Sequence, residues 1–323
     1  MAGLTAAQLR QFEEQGYLIV EDVLDPARDF APAMAEYAEV LDGIANDLYA
    51  EGVIPSTYAE LPFKDRLLAL RAASGREFGQ YFDFSLPQAG VRPDTPIHAG
   101  PAVFRVLTHP AILDIVESVI GPEIFSCPVQ HTRIKMPLHT LKDGAGALVA
   151  KTPWHQDNGV LMPEADVATI LTVWMPLNDA TIENGCLQVA PRSHGGGLVA
   201  HCPRPEGLAI PDQFIDQQQA IPLPMRAGSI LLLTQRTMHG SLDNTTDSDV
   251  RISFDLRYQP LGQPTGRPAF ADAGFVARSA AHPEQELRDP AVWEENWLRV
   301  RARLAAENDP AFNRWRADAP VCA

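Results

Sequence analysis

The 323-residue sequence predicts a mainly β protein with helices flanking the strands, and three observations carry that prediction. Short segments rich in β-branched and aromatic residues alternate with turn residues from about Ile124 to Tyr258. The stretches before and after them have helical periodicity and the Ala, Leu and Glu content that favours helix. No internal repeat, low-complexity tract or clear linker divides the chain. The simplest organisation is therefore one domain, with a helical part over about 1–122, a β core over about 123–260 and a helical tail over 261–323.

Taken in order, Thr5 and Gln8 have capping-box spacing ahead of Leu9 and Phe12, which predicts a first helix ending near Gly16. The apolar run from Tyr17 to Val20 reads as a strand. From Pro26 to about Ala73 the composition favours helices, interrupted around Pro55 and Pro62. Residues 101–120 read as two short helices ending at Gly121-Pro122. Strands are predicted at Val129–Lys135, Thr169–Met175, Leu187–Ala190, Ser229–Leu233 and Arg251–Tyr258. Between Leu138 and Ala150 a stretch containing Gly144 and Gly146 reads as a mobile loop, either a lid or ordinary surface flexibility. In the tail, Trp293, Trp297, Val300 and Leu304 fall on one helical face, a pattern for packing against the sheet rather than for holding a cofactor.

Hydrophobic residues make up 46% of the chain and charged residues 21%, a globular balance that gives no reason to expect long disorder. The formal net charge of −15 repels phosphate backbones and anionic membrane surfaces, so neither nucleic acid nor membrane is an expected partner. Net charge says nothing about one pocket, and a local basic site could still take an anionic small molecule. Cys127, Cys186, Cys202 and Cys322 are scattered, with no CxxC pair, and are expected to be reduced thiols. The start of the sequence lacks a basic stretch followed by an apolar one, and no run of about 18 apolar residues occurs. A soluble cytoplasmic protein is the expectation.

The chemistry concentrates at Trp154-His155-Gln156-Asp157, at the end of an extended segment where alternation points His155 and Asp157 to one side. His239, following the strand that ends at Leu233, can complete a set of two histidines and one carboxylate on one face of an octahedral metal, leaving three positions open. A His-x-Asp pair is a weak signal alone. It gains weight from Arg251, twelve residues after His239, on a strand whose same-face neighbours are Ser253, Asp255 and Arg257 and whose other face is apolar. A buried arginine requires an anion, and its planar fork suits a carboxylate. That anion could be an internal acid such as Asp255 or the carboxylate of a bound molecule.

The segments WHQD at 154–157, TVWMPLNDATIENGCLQVAPRSH at 172–194 and MHGSLDNTTDSDVRISFDLRYQP at 238–260 resemble the phytanoyl-CoA dioxygenase family of Fe(II)/2-oxoglutarate oxygenases. Weaker similarity covers FEEQGYLIVEDVL near the start and 104–124. The resemblance implies a double-stranded β-helix, a jelly-roll relative of the cupins. It implies His155, Asp157 and His239 as iron ligands and Arg251 as partner of the distal carboxylate of 2-oxoglutarate. Ser241 matches a position that assists that carboxylate, and Trp174 an aromatic that lines the same pocket. On the strand HTRIKMP, His131, Arg133 and Lys135 share one face; the resemblance points Lys135 to 2-oxoglutarate and His131 and Arg133 to substrate, the other reading being a solvent-facing basic edge.

The implied reaction uses Fe(II), 2-oxoglutarate and O2 to hydroxylate or desaturate a small organic molecule, with release of succinate and CO2. Halogenating relatives replace the carboxylate ligand with a small residue, whereas Asp157 is present here. Two departures from the family pattern, Ala227-Gly228-Ser229 before the late strand and PRSH at 191–194, touch none of the proposed ligands. The competing classes are a non-catalytic cupin-like protein that binds a metal or small acid, and a hydrolase using the same three ligands to hold zinc. An open triad beside Arg251 disfavours the first, and the lack of a general base beside WHQD disfavours the second. Substrate and oligomeric state are not legible.

Overall fold

The computed structural model describes residues 3–142, 145–307 and 310–322. Its helices are α1 (Ala6–Gln15), α2 (Ala31–Ala50), α3 (Phe63–Ser74), α4 (Gly79–Phe82), α5 (Pro101–Leu107), α6 (Pro110–Ile120) and α7 (Pro290–Ala306). Its strands are β1 (Tyr17–Val20), β2 (Glu123–Ser126), β3 (His131–Lys135), β4 (Leu171–Pro176), β5 (Leu187–Val189), β6 (Cys202–Arg204), β7 (Gly207–Ala209), β8 (Ile221–Leu223), β9 (Ile230–Thr234), β10 (His239–Ser241), β11 (Arg251–Pro260) and β12 (Phe275–Ser279). Among the described residues no helix is long and apolar enough to cross a membrane.

The capping box forms as the sequence predicts: the Gln8 N–H donates to Thr5 Oγ1 at 3.3 Å, and the Thr5 N–H to Gln8 Oε1 at 2.9 Å. Gly16 ends α1 in the left-handed region, at φ 79°, where a side chain would be strained. Its carbonyl accepts from the Thr234 N–H at 3.0 Å, which fixes β1 alongside β9.

Among the described residues all pairings are antiparallel, in a major sheet ordered β1-β9-β4-β11-β2-β12, with β3 also on β11, a minor sheet ordered β10-β5-β8 and a two-stranded ribbon of β6 and β7. β11 organises the molecule. One edge pairs with β4; the other pairs with β3 along Arg251–Asp255 and with β2 along Tyr258–Pro260. Its apolar face, Ile252, Phe254, Leu256 and Tyr258, is buried in the main core together with residues of α2, α5, α6 and α7. Trp174, Leu231 and Leu233 of the major sheet meet Leu187, Val189 and Leu223 of the minor sheet in a second cluster between the sheets. This is the double-stranded β-helix, not closed into a continuous barrel.

Trp293, Trp297, Val300 and Leu304 do pack as one buried face of α7. The stretch read as a helical tail is α-helical only in α7; before it β12 adds to the major sheet beside β2, and the other described residues of 261–322 form short 3-10 turns and irregular chain. Phe275, Ala277 and Ser279 are buried in alternation, a strand pattern too short to stand out among helix formers. The expectation of four reduced cysteines is corrected. Cys127 and Cys186 are free and buried, but Cys202 and Cys322 form a disulfide. Their Cα atoms lie 5.4 Å apart although 120 residues separate them in sequence, a proximity only the fold creates.

Candidate metal centre

The two histidines are brought together by backbone pairing. His155 and His239 form an isolated antiparallel bridge, with the His155 N–H donating to the His239 carbonyl at 2.8 Å and the reverse bond at 2.9 Å. The extended segment ends there, and Asp157 begins a 3-10 turn, so its carboxylate returns to the same side by a turn rather than by continued strand alternation. Donor atoms of His155, Asp157 and His239 all lie within 4.8 Å of one another, and all three residues are buried.

Each imidazole is oriented by the same local bond. Nδ1 of His155 donates to the Pro153 carbonyl at 2.9 Å, and Nδ1 of His239 to the Thr237 carbonyl at 3.0 Å. These bonds leave Nε2 of both rings as the lone-pair donor, which suits a metal. Burial first, then the neighbouring His155, lowers the pKa of His239 to about 4, so its ring is neutral at pH 7. Burial alone would raise the Asp157 carboxyl, but the Arg257 guanidinium, followed by His239 and His155, holds it well below the usual range. Arg257 bonds one carboxylate oxygen and Thr172 the other.

A second group of predicted residues assembles beside the triad. Arg251 and Lys135 face each other across β11 and β3. The Lys135 ammonium donates to Ser241 Oγ and to the Leu242 carbonyl. The Arg251 guanidinium lies 5.2 Å from the Trp174 ring and donates to Ser253 Oγ at 2.7 Å, while its Nε has no partner. Trp174 also lines a small cavity with His155, His239, Thr172, Arg133 and Asp255, so it is a wall common to metal and arginine. Gly185 is required here, since a Cβ would stand 2.6 Å from the Lys135 side chain and 2.7 Å from the Leu242 carbonyl.

The internal salt bridge that could have explained Arg251 is absent from the described residues. Asp255 pairs instead with Arg133 at 3.1 Å and with Arg257 at 3.5 Å. Burial, then repulsion from Arg133, pulls Arg251 down to about 9, and burial, then Arg251, pulls Lys135 well below its ordinary value. Arg251, which has no carboxylate partner among the described residues, and Lys135, on which Asp243 acts to raise the pKa, form a basic pocket that an anion would complete.

The structure separates the remaining predicted residues. Arg133 reaches the metal cavity, whereas His131 turns to Asp83, its Nδ1 2.8 Å from the carboxylate. Of the loop read as mobile, Leu148 and Val149 accept from the Ile134 and Met136 N–H groups, which fastens its second half along β3; Gly144 lies outside the described residues. A wider cleft of about 530 Å³ opens beside the metal-bearing segment, walled by apolar residues such as Leu138, Pro153, Trp154 and Ile210 and by the charged Lys142, Lys151, Glu206, Asp212 and Asp243. Sequence reading missed Thr172 and Arg257 as partners of Asp157. Arg257 was visible on the inward face of its strand, but nothing in its spacing says which acid it meets.

Comparison with known proteins gives the chain a lineage. The family model described as phytanoyl-CoA dioxygenase matches residues 12–253. Phytanoyl-CoA dioxygenase domain-containing protein 1 of Bos taurus is 24% identical over 273 residues, covering 76% of this chain and 87% of that protein. Its Rattus norvegicus counterpart is 27% identical over 275 residues, covering 76% and 87% respectively. Among solved structures, a non-heme monooxygenase described as the ThoJ-Ni complex aligns with a TM-score of 0.55 at 20% identity, covering 92% of this chain and 96% of that one, a likeness of fold.

Proposed function

We infer the chemistry of the site from the fact that the chain belongs to the phytanoyl-CoA dioxygenase family, and so is a non-haem Fe(II)- and 2-oxoglutarate-dependent dioxygenase. We propose that His155, Asp157 and His239 hold the iron and that Arg251, with Lys135, Ser241 and Trp174, holds the far carboxylate of 2-oxoglutarate. The observation that carries this reading is Arg251 itself, a fully buried guanidinium with an unbonded Nε and no acid partner among the described residues, sharing the Trp174 wall with His155 and His239. The two Nε2 atoms freed by backbone bonds at Nδ1 fit a divalent metal in the cavity that Trp174 lines.

Bound iron supplies the activation of dioxygen, coupled to oxidation of 2-oxoglutarate to succinate and CO2. The chain supplies placement. Thr172 and Arg257 fix the Asp157 carboxylate, the Pro153 and Thr237 carbonyls fix the imidazoles, and the apolar layer of Leu187 and Leu233 keeps water from the metal cavity. The outcome is hydroxylation or desaturation of a small organic molecule whose body occupies the 530 Å³ cleft, where Trp154 adjoins His155. The walls mix apolar side chains with Lys142, Lys151, Glu206, Asp212 and Asp243, which favours a substrate with a hydrocarbon scaffold that carries polar groups. We take the chain to act as one oxygenase domain, since a single apolar cluster joins the helices on both sides to the major sheet.

The test is anaerobic addition of Fe(II) and 2-oxoglutarate, which should produce the weak visible charge-transfer band of a chelated keto acid. His239→Ala should lose metal and band together; retention of both would remove His239 from the ligand set. A binding protein would take up 2-oxoglutarate without forming succinate when air is admitted, and succinate release separates the two classes.

A further inference from the structure

The turn that carries Asp157 is gripped from outside by a segment far along the chain. Trp315 donates its indole N–H to the Gly159 carbonyl. Its ring stacks on His201 with centroids 5.4 Å apart and planes at 24°. His201 Nε2 accepts the N–H of Gln156, the residue between the two metal ligands, at 2.8 Å, while its Nδ1 donates to the Val199 carbonyl at 2.9 Å. Gly159 permits this approach, because a Cβ there would lie 2.1 Å from the His201 ring. Arg314 bonds the Leu161 carbonyl at 3.1 Å and Asp166 at 2.6 Å; Asp166 in turn accepts from Asn158 at 2.7 Å. The Cys202–Cys322 disulfide closes the strap onto the residue directly after His201.

We propose that His201 and Trp315 are positioning residues of the metal centre and that the Cys202–Cys322 disulfide latches them against the Gln156–Gly159 turn. The inference rests on the triad being the iron site. His201 holds the backbone of the turn, Trp315 holds His201 and the Gly159 carbonyl, and the latch keeps the strap in place, so the side chain of Asp157 is presented to the metal from a fixed backbone. An external dithiol opens the latch: it transfers two electrons to the S–S bond and becomes a disulfide, and Cys202 and Cys322 each gain a proton as thiols. Metal retention then responds to thiol redox state.

The full chain should be titrated anaerobically with Co(II), read by visible absorption, beside metal-free amide exchange of peptides covering 156–161. Trp315→Ala, His201→Ala and the Cys202→Ser/Cys322→Ser pair are each expected to weaken Co(II) binding by about 10–100-fold and to speed exchange in the turn. Parent protein reduced with a dithiol and desalted should match the cysteine pair. His201→Gln, which offers an acceptor where Nε2 stands, and Trp315→Phe, which keeps the stack, should recover part of the loss; recovery separates positioning from general unfolding. Affinities of Trp315→Ala and His201→Ala within twofold of the parent overturn the proposal whatever the exchange rates do. A parent that binds no Co(II) overturns the iron reading instead, and exchange at 156–161 then decides alone whether the strap holds the turn.

Discussion

Arg251 and Arg257 lie six residues apart on the same face of β11, both fully buried, yet the protein treats them oppositely. Arg257 is ion-paired with Asp157 and Asp255 and bonds the Val129 carbonyl. Burial would lower its pKa, but those two carboxylates outweigh burial and raise it. Arg251 meets Ser253 and the face of Trp174, and its pKa is lowered to about 9. A buried cation whose anion is supplied by the chain is part of the folded framework. One whose anion is missing has its desolvation only partly offset, here by Ser253 and the Trp174 ring, and fits the proposal that an anion from outside completes its site.

The sharpest way to break this contrast is to remove each guanidinium in turn. Arg257→Met leaves Asp157 and Asp255 buried with less compensation and should lower unfolding stability by about 3–5 kcal/mol in urea denaturation at pH 7. Arg251→Met deletes a cation without a carboxylate and should leave stability unchanged or raise it by roughly 0–2 kcal/mol. Equal losses in the two variants would erase the distinction.

On 2-oxoglutarate the order reverses. Arg251→Ala should weaken its use by about 2–5 kcal/mol, roughly thirty- to several-thousand-fold, with iron largely retained; Arg251→Lys should recover only part, since a point charge cannot reproduce the fork. Separate titrations of iron and 2-oxoglutarate check this. Should Arg251→Ala bind 2-oxoglutarate like the parent, the carboxylate is held elsewhere, with Lys135 the next candidate. Lys135→Met is expected to weaken 2-oxoglutarate by a smaller amount, about 1–3 kcal/mol, because Lys135 already bonds Ser241 and Leu242; a calorimetric titration would show whether its effect instead exceeds that of Arg251.

The smallest expected effect concerns neutral partners. His201 and His239 are buried with pKa values of about 4, against an ordinary 6.5. Between those values the unfolded chain binds more protons than the folded one. The stability contributed by the neutral rings is therefore whole above pH 6.5, is lost as pH falls toward about 4, and changes no further below that. In metal-free protein, His201→Gln should reduce the slope of stability against pH in this window by up to about 1.4 kcal/mol per unit. An unaltered slope would mean that His201 is not buried as a neutral acceptor.

Local chemistry was legible wherever a residue acts through its neighbours in sequence. Thr5, Gln8 and Gly16 bound α1 because capping bonds span only a few residues. The apolar stripe of α7 and the two faces of β11 were readable because helical and extended periods sort side chains without knowledge of the partner. The matching segments around His155, His239 and Arg251 carried the family and the ligand candidates. β12 escaped because five residues of alternation are outweighed by helix-forming surroundings, and the disulfide escaped because thiol spacing in sequence says nothing about Cα separation in space.

What the sequence determined by itself was therefore the β-rich core between helices, the metal-ligand candidates and an inward-facing row of charges on one strand. Only the tertiary structure decided which charge meets which: Arg257 with Asp157, Arg133 with Asp255, and Arg251 with no acid among the described residues. It alone brought His201, Trp315 and Cys322 to the turn behind Asp157. Secondary structure is set by short-range bonds and periods that the chain carries locally. The pairing of these buried charges depends on distances of a few ångströms between segments a hundred or more residues apart, and those distances exist only once the sheets have packed.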